Sequence, residues 1–468
     1  MLSLELSPDE FRRVADRIVQ LACDYLRDLD SAPAFPKTSG SLTEELFASD
    51  LPAQGMKDDA LDQLATVLAH SRPPSPRFFG YVLGSGEPVA ASADLLASVL
   101  NQNLTAWRSG PAAATIERTV VSWLAEAIGC VGFTGSLTGG GSPANLMGLA
   151  MAREAKLPGN EVGATPAIIY ASDQVHMSIP KSMALLGLGR ENLSLVPTDS
   201  SFRIRLDDLE RLIQRDRAAG KRAIAIVASA GTVNTGAIDP LRELSHLARQ
   251  HGLWLHVDGA YGALAAIAAP EKFLGLELAD SLSLDPHKWL YQPLDCGCLL
   301  FRNAERAQKA FSHSGDYARV LSDDPIEGFA FFEESIELSR RFRALKVWLS
   351  LRYHGMDAFR HAIRNNLNDA QFLAEQIRQE PELELLAPIE LSAVCFRWRD
   401  RDSVLSEQEL NRRNQAILRR VIERGRVYIS NASIRGKFAL RACIVNHRTT
   451  REDVEAVVQE AIAAARET

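Results

Sequence analysis

From about residue 87 the chain alternates short apolar runs with segments of helical period, and few folds accept that pattern. Residues 168–170, 223–228, 253–257, 281–284 and 298–301 read as short buried strands, and helical segments such as 240–250 lie between some of them. This alternation predicts an α/β domain built on a mainly parallel sheet. In such sheets ligands bind beyond the carboxyl ends of the strands. Asp258 and Lys288 each follow an apolar run, so both are expected at that edge, in one site.

The flanking regions read differently. Ser7 is placed to cap a helix, with Pro8 at its first position. Phe11, Val14, Ile18, Leu21, Ala22 and Tyr25 then form an apolar stripe at helical spacing. Pro- and Ser-rich stretches at 31–42 and 71–76 read as connectors. This opening module, residues 1–86, is too small to bury its own apolar face and is expected to pack on a partner subunit or on the body of the protein. A large domain is expected over 87–345. After Arg340-Arg341-Phe342-Arg343 a long helical pattern runs through Leu345, Trp348, Leu349 and Leu351. Strands are expected near 394–398 and 438–445, making 346–468 a smaller α+β domain.

Composition narrows the functional classes. Lys and Arg number 52 against 59 Asp and Glu, a net charge of −7 that argues against a nucleic-acid surface or a basic membrane patch. The six cysteines are scattered, which predicts reduced thiols and a cytoplasmic setting. Cys296 and Cys298 alternate along an apparent strand, so burial is expected there and no metal site. Residues 1–10 are acidic and show no signal peptide, and no apolar run reaches membrane-spanning length.

Four segments carry chemistry. The stretch 136–145 (SLTGGGSPAN) precedes an apolar run. Ser142 reads as an N-cap and Pro143 as the first helical residue, while the glycines let a ligand approach the backbone. Free N–H groups at a helix start suit a phosphate. The stretch also fits G-x-G-x-x-A, which keeps a dinucleotide fold as a rival. Against that rival, residues 132–138 read as lacking the apolar strand the fingerprint needs. In 256–262 (HVDGAYG), Asp258 at a strand end would hold a pyridine nitrogen protonated, and the small Ala260 leaves room for a flat ring. Taken alone, Asp258 reads more readily as a local turn cap. In 283–289 (SLDPHKW), Lys288 sits among apolar and aromatic residues, where desolvation makes an amine a Schiff-base former. His287 is placed to reach a phosphate. His176 follows the strand at 168–170 and is placed to stack on the ring face opposite Ala260, or to serve as a hydrogen-bonded structural residue.

In this order the motifs resemble the fold-type-I pyridoxal-phosphate (PLP) enzymes, the aspartate-aminotransferase-like fold. Within them the chain resembles the group II decarboxylases, which include aromatic-L-amino-acid, glutamate and diaminobutyrate decarboxylases. The resemblance covers nearly the whole chain. It includes Pro76-Arg77-Phe78-Phe79-Gly80-Tyr81, Asn101-Gln102-Asn103, Trp107, Gly110-Pro111, the glycine stretch, His176, Asp258, Asp285-Pro286-His287-Lys288-Trp289 and the run from Ser339 to Lys346. It implies that Lys288 binds PLP as a Schiff base, Asp258 pairs with the pyridinium and His176 stacks on the ring. Gly141, Ser142, Asp285 and His287 would lie at the phosphate end, and no metal is implied. Tyr317 matches a mobile-loop tyrosine that protonates the substrate carbon after CO2 leaves, and the composition of 311–334 suits a mobile surface loop. The family further implies a homodimer whose loop reaches the neighbouring site.

The expected activity is decarboxylation of an L-amino acid to its amine and CO2, within amino-acid and carboxylic-acid metabolism. Three positions depart from the aromatic relatives: Val233 replaces a threonine near the cofactor, Gly84 replaces a threonine, and Thr105 replaces a phenylalanine. Ser339 matches the plant enzymes that act on phenolic substrates, which favours tyrosine or DOPA over tryptophan. Thr105 and Gly84 pull away from an aromatic ring, and Arg108 suits an acidic side chain. An aromatic substrate is favoured slightly. The rivals are an aldehyde synthase, a decarboxylase of an acidic or basic aliphatic amino acid, a catalytically silent binding subunit and, most remotely, a dehydrogenase.

Overall fold

Seven strands, in the order β1-β7-β6-β5-β4-β2-β3, form the central sheet. They are β1 (Thr134–Thr138), β2 (Ile168–Ser172), β3 (Leu193–Val196), β4 (Ala223–Ser229), β5 (Trp254–Asp258), β6 (Ser281–Leu284) and β7 (Gly297–Phe301). The computed structural model describes residues 4–313, 323–399 and 405–468. From β3 to β6 the pairing is parallel, while β7 runs antiparallel to β6, and β1 antiparallel to β7. Strands β2, β5, β6 and β7 are buried along their whole length. Helices cover both faces, and this is why these strands are short and mostly apolar. One face packs on α6 (Gly141–Lys156), α7 (Ser178–Leu185) and α11 (Ala304–Phe311). The other packs on α5 (Pro111–Ala127), α8 (Leu206–Ala218) and α9 (Leu241–His251). Asp258, the last residue of β5, is in register with Ser229 and Ser283, so three strands end level.

Two local expectations are corrected. Residues 134–138 do form a strand, although they carry a single large apolar residue, Leu137. Packing explains the composition: a Cβ at Gly135 would lie 1.9 Å from the Leu299 carbonyl oxygen, so this strand meets β7 too closely for a side chain. The dinucleotide rival therefore fails for another reason. Strand β1 is an edge strand paired antiparallel with β7, and β1 and β2 are not neighbours, so no βαβ fingerprint unit exists here. Helix α6 also begins two residues early, at Gly141, with Gly140 (φ +136°) before it and no side-chain cap. Ser142 and Pro143 stand in its first turn.

The smaller sheet has the antiparallel order β10-β11-β9-β8, built from β8 (Leu383–Leu385), β9 (Ala393–Trp398), β10 (Ser430–Ile434) and β11 (Lys437–Cys443). It packs on α13 (Met356–Gln379), α14 (Glu407–Arg424) and α15 (Arg451–Glu467). The helical pattern after Arg343 is two helices, α12 (Ala344–His354) and α13, broken at Gly355 (φ +75°). Helix α13 joins the two cores, with Phe359 and Ile363 in the large one and Leu373 and Ile377 in the small one.

At the N-terminus, α1 (Pro8–Asp28), α2 (Gly40–Phe47) and α3 (Asp59–His70) contain no buried residue. Ser7 caps α1 in a reciprocal box with Glu10, and Arg17 pairs with Asp62 at 3.3 Å to tie α1 to α3. Phe11, Ile18, Val19 and Phe47 stay exposed, as do Leu95, Leu96, Val99 and Leu100 on α4 (Pro88–Leu100). Among the described residues no helix is long and apolar enough to cross a membrane. The segment expected as a mobile loop over 311–334 is packed at its end. Phe331 and Phe332 are buried, and the Arg340 guanidinium lies 4.2 Å from the Phe331 ring centre.

Candidate active site

A cavity of about 320 Å³ opens at the carboxyl ends of β5 and β6, facing the start of α6. Its chemistry comes from the elements that end there. After β6, Asp285 and Pro286 start a one-turn helix, α10 (Pro286–Trp289), which turns Lys288 into the cavity while Trp289 is fully buried. Lys288 Nζ lies 2.9 Å from Asp285 Oδ2, and His287 Nε2 is 3.5 Å from the same oxygen. Burial pushes the His287 imidazole below its ordinary pKa, and the Asp285 charge opposes that shift. The other Asp285 oxygen, Oδ1, is buried without a partner among the described residues.

Asp258 is buried and held on both oxygens. Oδ2 accepts from Asn145 Nδ2 at 2.9 Å, and Oδ1 from Ser283 Oγ and the Ala260 N–H, both at 3.2 Å. Across the cavity, Gly139 to Ser142 present the α6 N-terminus. A Cβ at Gly141 would lie 2.6 Å from the Ala260 Cβ and 3.0 Å from Asp285 Oδ2, so only glycine lets the helix start come this close. A Cβ at Gly297 would likewise meet the Gly140 backbone at 2.4 Å. His176 lines the cavity, and Ser178 holds its Nδ1 through Oγ (2.8 Å) and N–H (3.2 Å). Burial lowers its pKa as well.

The structure thus brings Gly141, Ser142, His176, Asp258, Ala260, Asp285, His287 and Lys288 to one cavity. Tyr317 lies outside the described residues. Val233 lines the cavity. Gly84 has a packing reason: its N–H donates to the His287 carbonyl at 3.1 Å, and a Cβ would lie 2.4 Å from that oxygen. It buttresses the turn that carries Lys288. Thr105, Arg108 and Ser339 do not line the cavity. The reading of the sequence missed Asn145, Ser178, Ser283 and His256. The available signal was Asn145, a polar residue immediately before the apolar run 146–152 of α6.

The donor set suits a flat anionic pyridine: N–H groups at a helix start for a phosphate, a carboxylate for a ring nitrogen, a lysine for an aldehyde. The pyridoxal-dependent decarboxylase conserved domain matches residues 37–399. The chain belongs to the pyridoxal-dependent decarboxylase family. The aromatic-L-amino-acid decarboxylase of Bacillus atrophaeus is 34% identical, over 99% of this chain and 97% of its own. The phenylacetaldehyde synthase of Petunia hybrida is 30% identical, over 94% and 91%. The crystal structure of Oryza sativa TDC with PLP and tryptamine superposes with a TM-score of 0.93 at 27% identity, covering 99% of each chain. The chain is accordingly a PLP-dependent amino-acid decarboxylase of fold type I, as its motifs led us to expect.

Proposed function

We propose that this decarboxylase converts an aromatic L-amino acid to its amine and CO2. The observation that carries the proposal is the cavity shared by Lys288, Asp258 and the α6 N-terminus, together with the aromatic-substrate relatives that match along nearly the whole chain. PLP, when bound, supplies the electron sink that makes loss of CO2 feasible. Lys288 would carry the cofactor covalently and yield it to the substrate amine. Asp258 would keep the ring nitrogen protonated. The N–H groups at Gly141 and Ser142 would hold the phosphate, with His287 beside them. Asp285 lies next to Gly141, but its charge is shared with Lys288, which keeps it compatible with a nearby anion. His176 would cover the ring face opposite Ala260. Val233 leaves the nearby wall without the hydroxyl expected of a threonine.

Tyr317 is assigned by resemblance as the acid that delivers a proton to Cα after CO2 departs. In the presence of dioxygen and water, the Tyr317→Phe variant should still release CO2 but yield aldehyde and ammonia, with dioxygen reduced to peroxide. Amine as sole product at the wild-type rate would remove Tyr317 from that role. A second reading, aldehyde synthase, is favoured by the Petunia relative. Peroxide and ammonia from the unmodified enzyme would establish it.

The reading includes a homodimer, supported by the apolar residues left exposed on α1, α2 and α4, and a cytoplasmic setting, which rests on the six scattered cysteines. It also keeps the three-part division 1–86, 87–345 and 346–468, with the last boundary falling inside α12. The deciding experiment compares kcat/KM for tyrosine, DOPA, tryptophan, glutamate and diaminobutyrate. A clear preference for either of the last two would overturn the aromatic assignment.

A further inference from the structure

Behind the cavity a line of buried polar groups crosses from β5 to α6 and out to α7. It begins at Trp254 Nε1, which can only donate and lies 2.9 Å from Ser281 Oγ. That hydroxyl accepts there and lies 2.8 Å from His256 Nδ1, to which it is free to donate its own hydrogen. The His256 proton is then on Nε2, which donates to Asn145 Oδ1 at 2.9 Å. The amide oxygen of Asn145 thus faces the imidazole and its nitrogen faces away. Its two N–H groups go to Asp258 Oδ2 and Ser178 Oγ, each at 2.9 Å. Ser178 in turn sends its hydroxyl hydrogen to His176 Nδ1. Every member has one consistent role, and the direction is set by the Asp258 carboxylate, which can only accept: it takes an Asn145 N–H, so the amide oxygen faces His256 and the imidazole must donate from Nε2.

We propose that Asn145 and His256 are positioning residues, a buried relay that sets the orientation of Asp258 and the tautomer of His176 through a single amide. The proposal rests on the reading above that Asp258 and His176 face the cofactor ring. Two further observations support it. His256 is fully buried, and burial pushes its imidazole down to about 4, so the ring is neutral and keeps one N–H to give. Helix α6 also carries a glycine where an alanine would be the better helix former. A Cβ at Gly148 would lie 2.4 Å from His256 Cε1 and 2.5 Å from Nδ1. Asn145 and Gly148 stand three residues apart on one helix face, the first taking the imidazole N–H and the second making room for the ring. A histidine present only to fill space would need neither.

The relay does to Asp258 what outer hydrogen-bond partners do to metal ligands: it removes alternative orientations of a group that must meet its target in one geometry. Its loss should therefore show in the chemical step more than in substrate binding. His256→Leu is expected to lower kcat about tenfold with KM held within about twofold and cofactor content unchanged. His256→Gln, which retains a donor near the position of Nε2, should recover most of the rate. A structural role alone would lower thermal stability in both variants and leave kcat of the folded fraction alone.

The readout independent of turnover is nitrogen NMR on histidine-labelled wild-type protein prepared without cofactor. His256 and His176 should both appear as neutral rings protonated on Nε2, with His256 unchanged between about pH 6 and 8. A His256 ring protonated on Nδ1 would overturn the relay, as would His256→Leu turning over at the wild-type rate. Should His256→Leu not fold, the Gln variant and the wild-type spectrum still decide. The two levels fail separately. A near-normal rate in Asp258→Asn defeats the site reading, whereas an inactive Asp258→Asn beside a fully active His256→Leu defeats only the relay.

Discussion

Around Asp258 the buried polar groups close on one another, from Trp254 through Asn145 to His176. In α1, α2 and α3 nothing is buried at all, and phenylalanine, isoleucine and valine face outward. Both regions have well-formed local structure, down to the reciprocal cap of Ser7 and Glu10. They differ in what completes them. The ring end of the sheet is finished by side chains of its own chain, so its geometry is set once the sheet and α6 meet. On the proposed homodimer, the N-terminal helices would be finished by a second copy, since exposed apolar area of this extent is unfavourable in water.

If the ring end is self-contained, single substitutions there should act on chemistry and leave assembly alone. Lys288→Ala has the largest expected effect. Turnover should fall by at least about 1,000-fold, roughly 4 kcal/mol of transition-state stabilisation, and the visible absorbance of bound cofactor should vanish. Near-normal turnover would end the site assignment. Asp258→Asn should retain the cofactor but lose about 100-fold or more in kcat, because a neutral partner no longer holds the ring-nitrogen charge. A loss under about tenfold would remove Asp258 from that role.

A third prediction concerns acid. Burial puts His256 and His447 at about 4, below the ordinary 6.5. Between these values the unfolded chain binds protons that the folded chain excludes. The stability associated with neutral His256 and His447 is thus complete above about pH 6.5 and is lost as pH falls toward 4. For the fully buried His256 this is on the order of 3 kcal/mol. Glu334, raised to about 7 by burial, acts in the opposite sense: its contribution is present below about pH 4.5 and lost as pH rises through 7. Denaturant midpoints across this range, for wild type and His256→Gln, check the sign. The advantage of wild type over His256→Gln, a difference in which the raised carboxyls of Glu334, Asp239 and Asp369 cancel, should shrink on acidification, and a difference that does not shrink would contradict the sign.

The smallest effect belongs to the other region. Val19→Glu combined with Phe47→Glu should weaken self-association by about 1–2 kcal/mol and lower activity on dilution. The cofactor spectrum should stay unchanged. Unaltered mass by light scattering at every concentration would show that these helices are not the dimer surface.

What could be read from the residues follows the same divide. Asp258 and Lys288 were legible because each stands at the end of an apolar strand, where position alone implies a site. Asn145 and Ser178 were not, because their importance depends on which face of α6 meets β5, a fact of packing. Strand β1 was hidden by Gly135, a residue chosen for closeness to Leu299 and silent about strand propensity. Gly84 looked like a substrate cue and is a backbone contact to His287. The break between α12 and α13 turns on one positive φ at Gly355, which the helical period on either side conceals.

The contact of Gly140 with Gly297 has a consequence for how the cofactor is acquired. Main chain rests on main chain there, with no side chain between the helix start and β7 to give way. The conformational entropy of the phosphate-binding turn is therefore surrendered when the protein folds, before any ligand arrives. Loading becomes the docking of a rigid anion onto a finished surface, and little of the binding free energy is diverted to ordering the protein. On the proposed reading, how long the cofactor stays would then be set by its covalent bond to Lys288, and the cofactor could be exchanged without the fold being disturbed.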